Sequence, residues 1–279
     1  MGIGGAATTV YWRKNSMRKR SFSVVGLAVA ATAALTASVA LAGPTVSGPD
    51  GNTQSIETVI APKKLPKKTL APATLKVVTR TASTTNPTGV PSPAVDALID
   101  FDKGAKIFTK GLPTCNPAEL QSTSTEIAEE KCGKAKIGSG NAEALLPTGS
   151  KVFTVQQTVT AFNGVPQGGK PTVILHSYGT TPIQTTLVLI GTVTNFNKEG
   201  FGPRLDVKIP LIAGGTGALT NFQVTINKKW SYKGKKVSFI SAECATKKFK
   251  TRSVFTYLDG SSLEALHTQS CTQKPEPKK

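Results

Sequence analysis

Residues 221–227 set Phe222, Val224 and Ile226 against Asn221, Gln223, Thr225 and Asn227, the two-residue period of a strand with one face on a core. The same alternation recurs along the chain. Leu75, Val77 and Thr79 oppose Lys76 and Arg80; Val95, Ala97, Ile99 and Phe101 oppose Asp96, Asp100 and Asp102; Phe153, Val155, Val159 and Ala161 oppose Thr154, Gln156, Thr158 and Thr160. Leu187 to Ile190 is apolar on both faces, the pattern of a strand covered on two sides. Asp259-Gly260 joins two more runs as a hairpin. One helix is expected from Asn116 (N-cap), Pro117 and Glu119, with Leu120 and Ile127 sharing a face up to about Lys131. The expected fold is all-β, an immunoglobulin-like or jelly-roll sandwich of about ten strands with one short helix.

The N-terminus carries an address. From Met17, Arg18, Lys19 and Arg20 precede an uncharged Ala/Val-rich stretch from Phe22 to Val39 that closes on Ala40-Leu41-Ala42, the three-part pattern of a secretory signal peptide cleaved before Gly43. Residues 1–16 fit no targeting pattern, so Met17 is the expected start; an uncleaved membrane anchor is the alternative. Residues 43–72, rich in Pro, Gly and Lys, read as a disordered leader, residues 73–271 as the folded domain and residues 272–279 as a disordered tail. Localisation is expected to be extracellular, in the medium or on the cell wall.

Cys115, Cys132, Cys244 and Cys271 are an even set in an exported chain, which points to two disulfides. Three pairings are possible. Sequence proximity favours Cys115 with Cys132, pinning both ends of the helix, and Cys244 with Cys271, closing the C-terminal strands. The rival zinc site lacks any C-x-x-C pair.

Charge and residue types narrow the chemistry. The chain has 34 Lys and Arg against 16 Asp and Glu, a net charge of +18; the signal segment would take five basic residues and no acid with it, leaving +13. Only Arg80, Arg204 and Arg252 beyond residue 42 are arginine. Base-edge reading favours the planar guanidinium fork, so nucleic acid is a poor partner. Two histidines, His176 and His267, neither in a hydrolase motif, and no phosphate-cradling glycine loop leave no catalytic residue, metal or cofactor to assign. His176 reads as half-buried on a strand and His267 as a surface residue. Asp96, Asp100 and Asp102 share a strand face where pairing with lysine is expected ahead of calcium. Glu143, Glu199, Glu243 and Glu264 could supply the paired carboxylates of a carbohydrate hydrolase, the alternative function.

The densest signal is Lys228-Lys229-Trp230-Ser231-Tyr232-Lys233-Gly234-Lys235-Lys236, a hairpin tip between clear strands. Its five lysines would attract an anionic polymer, while Trp230 and Tyr232 offer a stacking surface to a sugar ring, or else simply cover the end of the core. The expected function is non-enzymatic binding of anionic or carbohydrate polymer at the cell envelope.

The runs GLPTC (111–115), CGKAKIGSG (132–140), AFNG (161–164), YKGKKVSFISAEC (232–244) and FTYLDGSSL (255–263) resemble a family of secreted actinobacterial proteins of unknown function. The resemblance spans about Ala73 to Cys271. It implies secretion, the disulfides and a β-rich fold, and assigns no activity.

Overall fold

The structure, a computed structural model, describes residues 43–275; the expected signal segment lies outside them. The chain runs through β1 (Thr45–Ser47), β2 (Asn52–Ala61), β3 (Lys64–Pro66), β4 (Ala71–Ser83), β5 (Ala94–Asp102) and β6 (Ala105–Ile107) before its helical portion. There a 3-10 turn (Pro117–Leu120), helix α1 (Thr125–Cys132) and a second 3-10 turn (Gly133–Ala135) follow one another. A meander of β7 (Lys136–Thr148), β8 (Lys151–Gln167), β9 (Lys170–Gly179), β10 (Thr185–Asn195) and β11 (Phe201–Lys208) comes next. The remainder is β12 (Ala218–Ile226), β13 (Lys229–Tyr232), β14 (Lys235–Ser238), β15 (Ile240–Ala242), β16 (Lys248–Tyr257), β17 (Ser262–Ser270) and β18 (Thr272–Lys274).

The fold is all-β with one short α-helix, as the alternation requires. The main strands form one antiparallel sheet in the order β1-β2-β4-β12-β7-β8-β9-β10-β11-β5-β16-β17. The layers of the sandwich are thus parts of one continuous sheet wound around a common core, with inward Ile99, Leu175, Val224 and Phe255 among its contributors. Between the two ends of the path, side chains bridge β2 to the last strands. Gln269 of β17 bonds both backbone groups of Ile60, His267 Nδ1 lies 3.3 Å from the N–H of Thr58, and the Thr58 and Thr251 hydroxyls meet at 2.7 Å. The sheet therefore approaches a closed barrel, and closure removes edges that would otherwise invite pairing.

Three expectations are corrected. Residues 43–72 are not a disordered leader: they form β1, β2, β3 and the start of β4, and Ile56 and Leu65 are fully buried. The hydrophobic pattern hid β2 because three of its five inward side chains, Asn52, Gln54 and Thr58, are polar. Their partners lie inside the fold: Gln54 Oε1 accepts from Tyr257 at 2.9 Å and Thr81 at 2.7 Å, and Asn52 Oδ1 accepts from the Ser92 N–H at 3.0 Å. The tail is ordered through Lys274, since β18 pairs parallel with β3. The single helix from Asn116 is two pieces. Asn116 caps only the 3-10 turn, Ser122 takes a positive φ, and Ser124 then caps α1, so that Ile127 ends 45% exposed.

Both disulfides form as the spacing suggests, Cys115–Cys132 with Cα atoms 5.4 Å apart and Cys244–Cys271 at 6.0 Å. The first fastens the helical portion over a small second core of Leu120, Ala128, Phe162 and Ile174 on the outer face of the meander. That cover is why β10 is apolar on both faces: Val188 meets this second core while Leu189 faces the main one. The second bridge ties the end of β17 to the residues after β15, which pairs with β4 and β6 and not with β17.

Candidate functional site

The lysine-rich hairpin is β13 and β14 joined at Lys233-Gly234, both at positive φ as a two-residue hairpin turn requires. Alternation sorts its side chains. Trp230 and Tyr232 share one face, and both pack on Phe108: Trp230 stacks on the Phe108 ring at 5.8 Å with a 20° interplanar angle, and Tyr232 meets it edge-on at 5.7 Å. Trp230 Nε1 donates to the Lys110 carbonyl at 3.1 Å. A Cβ on Gly111 would stand 2.4 Å from Tyr232 Cδ2, so only glycine lets the 108–111 backbone approach this ring. The aromatic pair therefore fastens the hairpin to the segment after β6 and stays half-buried, in keeping with the covering role.

The lysines reach solvent, Lys235 from the aromatic face, where it lies opposite Tyr232. Lys229, Lys233, Lys235 and Lys236 are exposed and Lys228 is half-buried; none of the five appears among the six ion pairs of the described residues. The fold adds exposed Lys106 and Lys110, from β6 and the segment beneath Trp230, to this end of the molecule. Sequence reading missed both because the contact joining residue 110 to residue 230 is long-range.

The other candidates are structural. His176 is fully buried beneath the helical portion, with Nε2 3.1 Å from both the hydroxyl and the carbonyl of Thr123 and Nδ1 without a partner. Burial holds its pKa below the usual histidine range, against the opposing bond to Thr123. His267, expected at the surface, is half-buried between β2 and β17, and burial lowers its pKa as well. Of the three aspartates only Asp96 takes a lysine, Lys208. Asp100 is 1% exposed and receives two guanidinium forks, from Arg204 at 2.6 and 2.9 Å and Arg252 at 2.8 and 3.0 Å, under the ring of Phe196, which lies 3.9 Å from the Arg204 guanidinium carbon. Asp102 accepts the N–H of Gly104 at 2.8 Å and of Lys250 at 3.1 Å. Glu143 bonds Gln156, and Glu199 pairs with Arg252 at 2.8 Å.

A feature with no counterpart in the sequence reading lies inside the sheet. An apolar cavity of about 90 Å³ is lined by side chains of β4, β5, β9, β10, β11, β12 and β16, together with Ile107, Phe239 and Ile240. Thr79 is the one polar residue of its lining, and none of the four glutamates lines it. At about 24 cal/mol per Å³ an unfilled space of this size costs roughly 2 kcal/mol.

Among the described residues no helix is long and apolar enough to cross a membrane. Comparisons with protein-family models, curated proteins and solved structures return no match.

Proposed function

We propose that this chain is an exported, non-enzymatic protein that binds anionic polymer at the cell envelope through the end of the molecule carrying the β13–β14 hairpin. One observation carries the reading: five lysines are concentrated on one rigidly seated hairpin, none of them committed to an acid of the chain itself. A cluster of uncompensated lysines attracts a polyanion without demanding a fixed geometry. Two disulfides support export, since such bonds persist in oxidising compartments. Because Trp230 and Tyr232 are engaged with Phe108, charge and not sugar stacking is the main contribution, and a polymer that is carbohydrate is held chiefly by its anionic groups.

Co-sedimentation with purified wall material tests this. Binding should fall steeply as salt approaches about 1 M, where the Debye length is about 3 Å. It should fall again when Lys228, Lys229, Lys233, Lys235 and Lys236 are changed together to Gln. Absence of binding at low salt overturns the proposal. So does a five-fold variant that binds normally while Trp230→Phe, which keeps the ring contact with Phe108, does not. The same preparation should begin at Gly43; an exported chain that retains Phe22 would refute the processing.

A further inference from the structure

We propose that the cleft at the end of the sheet remote from the lysine hairpin binds a neutral sugar unit, holding two adjacent hydroxyls between the buried amide of Asn52 and the carboxylates of Asp50 and Asp259. This goes beyond the lysine-hairpin reading and does not depend on it.

Several connections meet at this end. Asp50 lies in the turn into β2, residues 84–93 join β4 to β5, Pro147 stands near the end of β7, and Asp259 lies in the turn from β16 to β17. Strand register separates them from the hairpin. Asn52 pairs with Ser83, whereas Ile226, two residues before Lys228, pairs with Leu75; at about 3.3 Å per residue, β4 sets these two positions roughly 26 Å apart. The cleft between the loops measures about 420 Å³, within the range of about 300–1,000 Å³ that small-molecule sites occupy. Asn52, Val90 and Pro91 form its buried floor, and Asp50, Thr88 and Asp259 stand on its exposed rim.

The floor presents a donor. Asn52 is 3% exposed, its Oδ1 accepts the Ser92 N–H at 3.0 Å, and that bond fixes which way the amide is turned; its Nδ2 donates to no acceptor among the described residues. A buried N–H group without an acceptor is costly, so the floor favours a ligand oxygen. The rim presents acceptors. Ser261 donates its N–H to Asp259 at 2.9 Å and its hydroxyl to Asp50 at 3.3 Å, which seats two carboxylates beside one another with lone pairs to spare. Hydrogen bonding to Ser261 holds the Asp259 carboxyl below its ordinary range, so it is ionised at neutral pH. Neither aspartate belongs to the ion pairs of the described residues, and no lysine or arginine lines the cleft. Two uncompensated negative charges turn away an anionic ligand. An ammonium group would suit the carboxylates but has no lone pair for the amide of Asn52, and a calcium ion would meet the positive edge of that amide. A hydroxyl both donates and accepts. Two of them on neighbouring carbons satisfy floor and rim together, and the carbon skeleton rests on Val90, Pro91 and Pro147.

Titration of the purified, nitrogen-15-labelled protein with glucose, galactose and mannose, followed by NMR, tests the cleft. At least one hexose should shift the Asn52 side-chain amide and the backbone amides of Thr85 to Val90 saturably, with a Kd below about 50 mM. The uronate of that hexose should bind severalfold more weakly. Asp50→Asn with Asp259→Asn, both on exposed turns, should weaken hexose binding about tenfold while the melting temperature is kept. Asn52→Leu, which removes the floor donor, should weaken it as much; if that variant fails to fold, the turn variant carries the test. The proposal is overturned if no hexose gives a saturable shift, if the uronate binds as tightly as its hexose, if the folded turn variant binds like the parent, or if calcium chloride in place of sugar saturates the same resonances.

Discussion

The side-chain amide of Gln269 takes both hydrogen bonds that a neighbouring strand would offer Ile60: its Oε1 accepts the Ile60 N–H at 2.6 Å and its Nε2 donates to the Ile60 carbonyl at 2.9 Å. One side chain of β17 thereby stands in for a piece of backbone ladder against β2. Gln269→Leu would leave two buried main-chain groups without partners, each worth roughly 1–3 kcal/mol. Urea denaturation should show a loss of about 2–4 kcal/mol; a change below about 0.5 kcal/mol would mean that water or backbone replaces the amide.

Asp100 is held between Arg204 and Arg252. Burial alone would raise its pKa, but the hydrogen bonds from Arg204 and then Arg252 outweigh it and hold the carboxyl below its ordinary range. Its stabilisation is therefore complete above the unfolded pKa near 4 and is lost as pH falls through the lower folded value. Asp100→Asn should destabilise the protein by about 3–5 kcal/mol near neutral pH, because two guanidiniums then face each other with only the exposed Glu199 left to pair with Arg252. Thermal unfolding of the variant should also lose the part of its pH dependence below about 4 that Asp100 supplies, leaving that of Glu126 and Asp259, whose carboxyls are likewise held below their ordinary range.

His176 works in the opposite direction. The folded state disfavours its charged form, so the unfolded chain binds the proton more tightly, and stability falls as pH drops below about 6.5 until the lowered folded pKa is reached. His267 adds a loss of the same sign. His176→Gln should flatten the stability profile on the acid side of neutrality, and adding His267→Gln should flatten it further. An unchanged slope in the double variant would show that carboxylates alone set it.

The two bridges join cysteines 17 and 27 positions apart, and the chain-entropy relation assigns about 3 kcal/mol to the first and about 3.5 kcal/mol to the second. Cys115→Ser with Cys132→Ser should expose the second core and free the helical portion while the main sheet remains. Cys244→Ser with Cys271→Ser should loosen β3 and β18, which flank that bridge. Amide exchange separates the two outcomes; equal protection loss in both regions for either variant would be the contrary result.

Legibility in the sequence followed polarity. β4, β5, β8 and β12 could be read because their two faces differ in side-chain type, and the turn at Asp259-Gly260 because its chemistry is local. β2 was misread because Asn52, Gln54 and Thr58 point inward, where partners from distant strands satisfy them. The break at Ser122 overrode a good N-cap at Asn116, since that residue caps a single 3-10 turn. The hairpin lysines were legible as charge, whereas the seating of Trp230 on Phe108 depends on a contact across 120 residues of chain. The lumen left no trace, because an inward Leu or Phe is the same letter whether the space beside it is filled or empty.

The bonds between Ile60 and Gln269 join residues 209 positions apart, and this sets an order of events. The meander from β7 to β11 is built from neighbours in sequence and can assemble early, since short loops close at little entropic cost. β2 must wait. At about 5–20 residues per second, the interval between the emergence of its strand and that of β17 is roughly 10–40 s. For that time β2 lacks its contacts with the last strands, whereas β16 (Lys248–Tyr257) arrives only a hairpin turn ahead of β17 and pairs with it at once. Closure is then the final step of folding, and the sheet is bridged end to end only once the chain has been made through Gln269.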